Sequence, residues 1–460
     1  MTLQEYLYSL KEKTVAVIGI GVSNTPLLHL LLQNGISVTA CDRRLREDLG
    51  ELADELERRG AKLQLGSNYL EGLNQDVIFR TPGMRPDVPQ LLAARERGSV
   101  ITSEMEVFFD VCPCSIIAVT GSDGKTTTTT MIAELLRASG RTVHVGGNIG
   151  KPLLVEAGDM DPSDSVVLEL SSFQLMTMKK SPHIAVVTNL SPNHLDMHKG
   201  MEEYVESKEN IFLYQNKGDI AVFNLDNEIT SEQATRAMGE IRMFSRRGNV
   251  KNGVYLRGEE IIRCCSGVEN VVMTTSDIKL PGIHNVENYM AAVAALEGMV
   301  DDETIRAFAR EFGGVEHRIE LVRTLDGVRY YNDSIASSPT RTIAGLRSFR
   351  EKVILIAGGY DKNIPFEELG SEVVKRVKVL VLCGATAEKI RAAVEAASGY
   401  VPGKPEILTA ESLQQAAELA RKQAREGDVV TLSPACASFD QFPNFMARGK
   451  AFKAIVNSWQ

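Results

Sequence analysis

Apolar residues fall along this chain in short runs, each followed by a small or glycine-rich turn and then a helix-spaced segment. Residues 14–19 (T-V-A-V-I-G) read as a buried strand, 26–33 as a helix and 36–40 as the next strand. The same order returns at 77–79, 116–119, 143–145, 166–168, 184–188, 327–332, 352–357, 377–382 and 428–432. Helical spacing predicts helices over 103–109, 131–138, 202–215 and from 281 to 298. Strands alternating with helices predict mostly parallel, doubly wound sheets, an α/β fold. Between 248 and 276 short β-like pieces are separated by turns, which predicts a small antiparallel subregion. Breaks in the pattern divide the chain into three domains, 1–105, 106–314 and 315–460.

Candidate chemistry lies where strands end. Ser115 to Thr130 reads S-I-I-A-V-T-G-S-D-G-K-T-T-T-T-T, a strand, a glycine turn and a helix start. Gly121 and Gly124 permit a tight turn close to an anion, and the helix N-terminus presents unpaired N–H groups to it. Lys125 is placed to neutralise β- and γ-phosphates, and the Thr126 hydroxyl to reach Mg²⁺. The central domain therefore reads as a P-loop mononucleotide-binding domain with a parallel sheet. Its G-x-x-G-K-T spacing is shorter than that of common P-loops. Glu169 ends an apolar strand, where a carboxylate calls for a cation or hydrogen bonds.

Residues 193–198 (N-H-L-D-M-H) are dense in oxygen and nitrogen donors. Zinc fits them by residue type, and magnesium with mixed ligands fits beside a P-loop. On the 202–215 helix, Met201, Tyr204, Val205, Ile211 and Phe212 define an apolar face on which Lys208 also lies. That lysine either snorkels at the rim or points inward, and is then uncharged, paired or modified. A depressed pKa would let its amine capture CO₂ as a carbamate beside His194 and Glu169. In the first domain, G-I-G-V-S-N over 19–24 with Asp42 at the next strand end is close to a dinucleotide fingerprint, with Asn24 in place of the third glycine. It reads as a Rossmann-like domain holding a nucleotide diphosphate, or as a tight turn with no ligand. The third domain is again Rossmann-like α/β.

Bulk properties narrow the class. At 460 residues there is room for several cores, and a net charge of −9 argues against nucleic-acid binding. The seven cysteines show no metal or disulfide framework, which suits free thiols in a reducing cytoplasm. No signal peptide and no membrane-spanning run is expected.

The motifs T-G-S-D-G-K-T, G-G-N-I-G, E-L-S-S-F-Q-L, N-H-L-D, H-R and N-D-S together resemble the Mur ligase family over essentially the whole chain. L-S-P-A-C-A-S-F-D-Q-F, over 432–442, points to its D-glutamate-adding branch. The resemblance implies an ATP-dependent, ADP-forming amide ligase of cytoplasmic peptidoglycan precursor synthesis, a monomer. It would join D-glutamate to UDP-N-acetylmuramoyl-L-alanine through an acyl phosphate. It implies that Gly121, Ser122, Asp123, Gly124, Lys125, Thr126, Thr127, Asn285, Arg318 and Asp333 bind ATP. Val22, Ser23, Asp42, Arg43, Thr81, Gly83, Asn148, Ser171 and His194 would hold the UDP-substrate. Ser337, Lys362, Ser438, Phe439 and Phe445 would receive D-glutamate. Thr126, Glu169, His194 and a carbamylated Lys208 would hold two Mg²⁺ ions, with Lys125, His194 and Lys208 catalytic. Two positions depart from the pattern: Asp123 stands where asparagine is commoner, and Ile335 where a lysine often follows N-D-S. Rival readings are a sibling ligase for another amino acid, a nicotinamide-dependent dehydrogenase based on Gly19 to Asp42, and a nonenzymatic nucleotide switch.

Overall fold

The computed structural model describes residues 1–192, 198–280, 282–361 and 364–460. It divides into two compact units, Met1–Asp277 with His284–Arg310, and Ile278–Ile283 with Glu311–Gln460. The first unit carries a five-stranded and a nine-stranded sheet, the second a six-stranded one.

The five-stranded sheet is wholly parallel, in the order Lys62–Leu65, Ser37–Asp42, Thr14–Ile18, Val77–Phe79, Val100–Thr102. Chain order reverses about Thr14–Ile18, so the turn after that strand opens at a switch point, where parallel sheets leave a crevice. In the nine-stranded sheet the equivalent strand is Ser115–Thr120, flanked by Ser165–Glu169 and Ile184–Val187. The crevice there receives the glycine loop. All five residues of Ser165–Glu169 are buried, as expected of a strand covered on both faces. One apolar cluster joins the two sheets' helices, running from Leu27 and Leu31 through Phe108 to Leu168 and Tyr204.

Three local readings change. The helix after the glycine loop begins at Lys125, not in the 130s, and runs to Ala138. Threonines are indifferent helix formers, but Thr128 and Thr129 are fully buried and Thr130 Oγ1 donates to the Thr126 carbonyl, so tertiary packing decides. The helix expected over 202–215 stops at Glu209. The Asn210 side chain donates to the Leu175 carbonyl and its own carbonyl accepts from Ser181 Oγ, drawing the chain into turns. Ile211, Phe212 and Lys208 remain buried all the same. The antiparallel pieces at 253–274 do form, but as an extension of the large sheet: Gly253–Arg257 pairs parallel with Glu240–Ser245 and antiparallel with Glu260–Cys265.

In the second unit Val353–Ala357 is buried throughout and sits centrally between Val429–Leu432 and Val377–Cys383. Only Glu320–Leu325, at the edge, runs antiparallel. All seven cysteines are free. Among the described residues no helix is long and apolar enough to cross a membrane.

Candidate nucleotide and substrate site

The glycine loop is held from several sides. Gly121 has φ +146°, and a Cβ there would meet Thr188 Oγ1 at 2.0 Å. Gly124 has φ +77°, and a Cβ would lie 2.4 Å from Asn288 Oδ1. Both are positions that side chains rarely occupy. Ser122 Oγ donates to the Ser191 carbonyl and lies 2.9 Å from the Tyr204 hydroxyl. The Asp123 amide donates to Asn189 Oδ1 at 2.9 Å. Lys125 curls over the loop, its Nζ 2.9 Å from the carbonyls of Gly121 and Ser122. Thr127 is buried behind it. Asn285 joins this group through Asn288, whose Nδ2 donates to Asn285 Oδ1 at 3.1 Å.

Glu169 stands beside the loop, buried at the strand end. Its Oε2 accepts from Thr126 Oγ1 at 2.6 Å and its Oε1 from Asn148 Nδ2 at 2.7 Å. A hydroxyl and a carboxylate at this separation are hard oxygen donors, the kind Mg²⁺ takes one or two of while keeping phosphates and water. The donor set therefore fits magnesium. Among the described residues no group of three or more His, Cys, Asp or Glu forms a closed metal cage.

Lys208 points inward and is 2% exposed. Its Nζ donates to Thr120 Oγ1 at 3.1 Å and to the Gly121 carbonyl at 2.9 Å, and it lies 5.0 Å from the centre of the Tyr204 ring. Burial drives its pKa well below that of an ordinary lysine, the nearby Lys125 ammonium pushes the same way, and Glu169 opposes.

A cleft of about 200 Å³ lies between the five-stranded sheet and the glycine-loop module. Val22, Ser23, Pro82 and Glu104 line one wall, Asn148 and Gln174 the other. Thr81 and Gly83 flank Pro82 in the chain, and the Thr81 side chain would lie 3.1 Å from a Cβ at Gly19. Asp42 takes the Ile20 amide at 2.7 Å and is paired with Arg44, while Arg43 is exposed. Burial would raise the Asp42 carboxyl, but the Arg44 and Ile20 hydrogen bonds hold it down at about 2. Ser171 caps a short helix, accepting from the Gln174 amide.

In the second unit, Asp333 is buried, with Oδ2 accepting from Ser433 Oγ at 2.7 Å and Oδ1 from the Ile319 amide at 3.3 Å. Burial pushes it up to about 7, against the Ser433 hydrogen bond and the Arg318 charge. Ser334 Oγ donates to the Phe445 carbonyl, and buried Arg448 donates to Ser334 and to the carbonyls of Cys436 and Ala437. Ser438 is buried in the same loop, whereas Phe439 is 62% exposed and edges Tyr360. Ser337 follows Asp333 closely, its amide donating to the Ile335 carbonyl.

Comparison with known proteins supplies the family. Residues 119–296 match the Mur ligase middle domain and residues 317–436 the Mur ligase, glutamate ligase domain. A UDP-N-acetylmuramoylalanine--D-glutamate ligase of Acetivibrio thermocellus is 52% identical across 99% of this chain and 98% of its own length. One of Clostridium novyi is 51% identical across 99% of each. The chain belongs to the Mur ligase family. The fold agrees with solved structures: Thermotoga maritima UDP-N-acetylmuramate-alanine ligase MurC has a TM-score of 0.57 at 20% identity, covering 97% of this chain and all of that one. A Thermotoga maritima MurF ligase in complex with ADP gives 0.55 at 18% identity, covering 98% and 96%.

In this Mur ligase the structure gathers Gly121 to Thr127, Glu169, Asn148, Asn285 and Lys208 around one loop. Val22, Ser23 and Asn148 share the cleft. His194 and Lys362 lie outside the described residues. Sequence reading passed over Arg44, Glu104 and Arg448; it set Arg80 in a strand-end turn and Asn288 among polar residues at a helix start, without the partners the structure gives them. Arg80 follows the apolar strand Val77–Phe79 directly, the signal that singled out Glu169.

Proposed function

We propose that this Mur ligase adds D-glutamate to UDP-N-acetylmuramoyl-L-alanine in cytoplasmic peptidoglycan precursor synthesis, consuming ATP and releasing ADP and phosphate. What carries the reading is near-full-length identity of about half to ligases named for that reaction. It is joined by a glycine loop with Lys125, Thr126 and Glu169 in contact range.

The substrate carboxylate attacks the γ-phosphorus of ATP, the bond to the β,γ-bridging oxygen breaks, and ADP leaves. The D-glutamate amine then attacks the acyl phosphate carbonyl, loses a proton, and phosphate departs. Loop N–H groups and Lys125 offset charge on the transferring phosphoryl group. Thr126 and Glu169 would hold Mg²⁺, which would supply screening of the repulsion between the two anions. Residues 1–105 hold the UDP-substrate, with Asp42, kept ionised, fixing the 19–24 turn. Residues 106–314 hold ATP, and 315–460 receive the amino acid through Ser337, Lys362, Ser438, Phe439 and Phe445, with Arg318 and Asp333 toward the nucleotide.

Burial of Lys208 and its lowered pKa favour the neutral, nucleophilic form of the amine, which supports carbamate formation with CO₂ and a metal ligand near Glu169. Carbon NMR of protein equilibrated with isotopically labelled CO₂ tests this; a spectrum unchanged by Lys208→Ala would overturn it. The activity is tested by mass spectrometry of the product from ATP, UDP-N-acetylmuramoyl-L-alanine and a panel of amino acids. A product with D-glutamate is expected, and a preference for another amino acid would move the enzyme to a sibling reaction. A dehydrogenase reading rests on residues 19–42 alone and leaves Lys125, Glu169 and Lys208 without a role.

A further inference from the structure

Arg80 is a cation buried to 1% exposure, and among the described residues its hydrogen bonds go to four carbonyls and one hydroxyl, with the Glu106 charge also acting on it. Nη1 donates to Thr81 at 3.3 Å, to Pro82 at 3.1 Å and to Met84. Nη2 crosses to the glycine-loop module, reaching the Phe173 carbonyl at 3.4 Å and Thr177 Oγ1 at 3.1 Å. Thr177 in turn bonds Glu106, whose Oε2 also accepts from Ser103 Oγ at 2.7 Å. Burying an arginine is expensive, and its planar fork of five donors here serves groups on two separate segments at once.

Those two segments are the facing walls of the cleft. Pro82, whose carbonyl Arg80 holds, lines one wall; Gln174, next to Phe173, lines the other. We infer that Arg80 is a positioning residue for the UDP-substrate: it sets the separation of the two cleft walls and the course of the 81–84 turn. It does not touch the reacting atoms. The inference rests on the proposed function for the identity of the cleft's ligand.

Kinetics of Arg80→Met, Arg80→Lys and Thr177→Val test it. With Arg80→Met, KM for the UDP-substrate rises about tenfold, since carbonyls on both walls lose their donor, while KM for ATP and for D-glutamate stays within about twofold. Arg80→Lys falls between it and wild type, and Thr177→Val shifts the same constant about threefold. Calorimetric titration with the UDP-substrate shows the same weakening without turnover. An unchanged KM for the UDP-substrate in folded Arg80→Met, or all three constants rising together, overturns the inference. Should Arg80→Met not fold, Thr177→Val decides by the same criterion. Wild-type protein that makes no product would instead sink the proposed function, so the two failures are distinct.

Discussion

Glu104 lines the cleft as a buried acid, and replacing it with glutamine has a pH-dependent effect that can be worked out. The side chain is 7% exposed, and its Oε1 accepts the Leu154 amide at 2.9 Å. Burial pushes the carboxyl from 4.5 up to about 7, with the Leu154 and Leu153 amides pulling the other way. The folded protein thus keeps a proton that the unfolded chain gives up above its own, lower pKa. Stability contributed by this group is complete below the unfolded value, falls as pH rises toward 7, and is flat beyond. About 2.5 pKa units at 1.36 kcal/mol each amount to roughly 3 kcal/mol. Glutamine retains a carbonyl for Leu154 and carries no proton to lose. Urea unfolding followed by far-UV circular dichroism should find Glu104→Gln close to wild type near about pH 4.5 and more stable by about 2–3 kcal/mol near about pH 8. Amide exchange of the segment containing Leu154 should slow in parallel at the higher pH. Unfolding curves whose difference is the same at both ends, or a variant weaker than wild type at high pH, would refute the reasoning.

Lys125→Ala should cut ATP consumption by at least about 100-fold, measured by phosphate release, with UDP-substrate affinity within about twofold by calorimetry. Glu169→Gln sets an amide N–H against either Thr126 Oγ1 or Asn148 Nδ2, both of which now donate to it; turnover should fall about tenfold or more and need more Mg²⁺, read across a magnesium titration. Arg448→Met strands the carbonyls of Ser334, Cys436 and Ala437 and should lower the second unit's stability by about 2–4 kcal/mol, reported by fluorescence of Trp459 in urea.

The strands that bear the site were legible because each is a β-branched run closed by a glycine or polar turn: 14–19, 116–119, 166–168, 352–357 and 428–432 all recur as buried strands. Two edge strands were not. Lys62–Leu65 and Glu406–Ala410 are half-exposed and carry too little apolar alternation to stand out. Helical spacing put Lys208 on the apolar face but left snorkelling and inward turning open; the structure turns it inward, and Ile211 and Phe212 bury even though the helix is shorter than expected. What spacing could not deliver was partnership across distance. Arg44 reaches the Ile20 carbonyl from 24 positions away, and Asn288 accepts from Thr128, 160 positions away, on the helix that follows the glycine loop. Such pairings belong to topology, which puts residues from separate segments at one strand end.

The double constraint at Gly124 bears on how this loop can drift. Asn288 blocks the space where a side chain would go, and the left-handed backbone disfavours one independently. Trimming Asn288 first would clear room yet leave the dihedral cost of about 1 kcal/mol or more, and would strip a partner from Thr128. Neither order of substitutions offers a neutral first step, so the position is closed to stepwise exchange, and an inhibitor seated on this turn would meet little escape by substitution there.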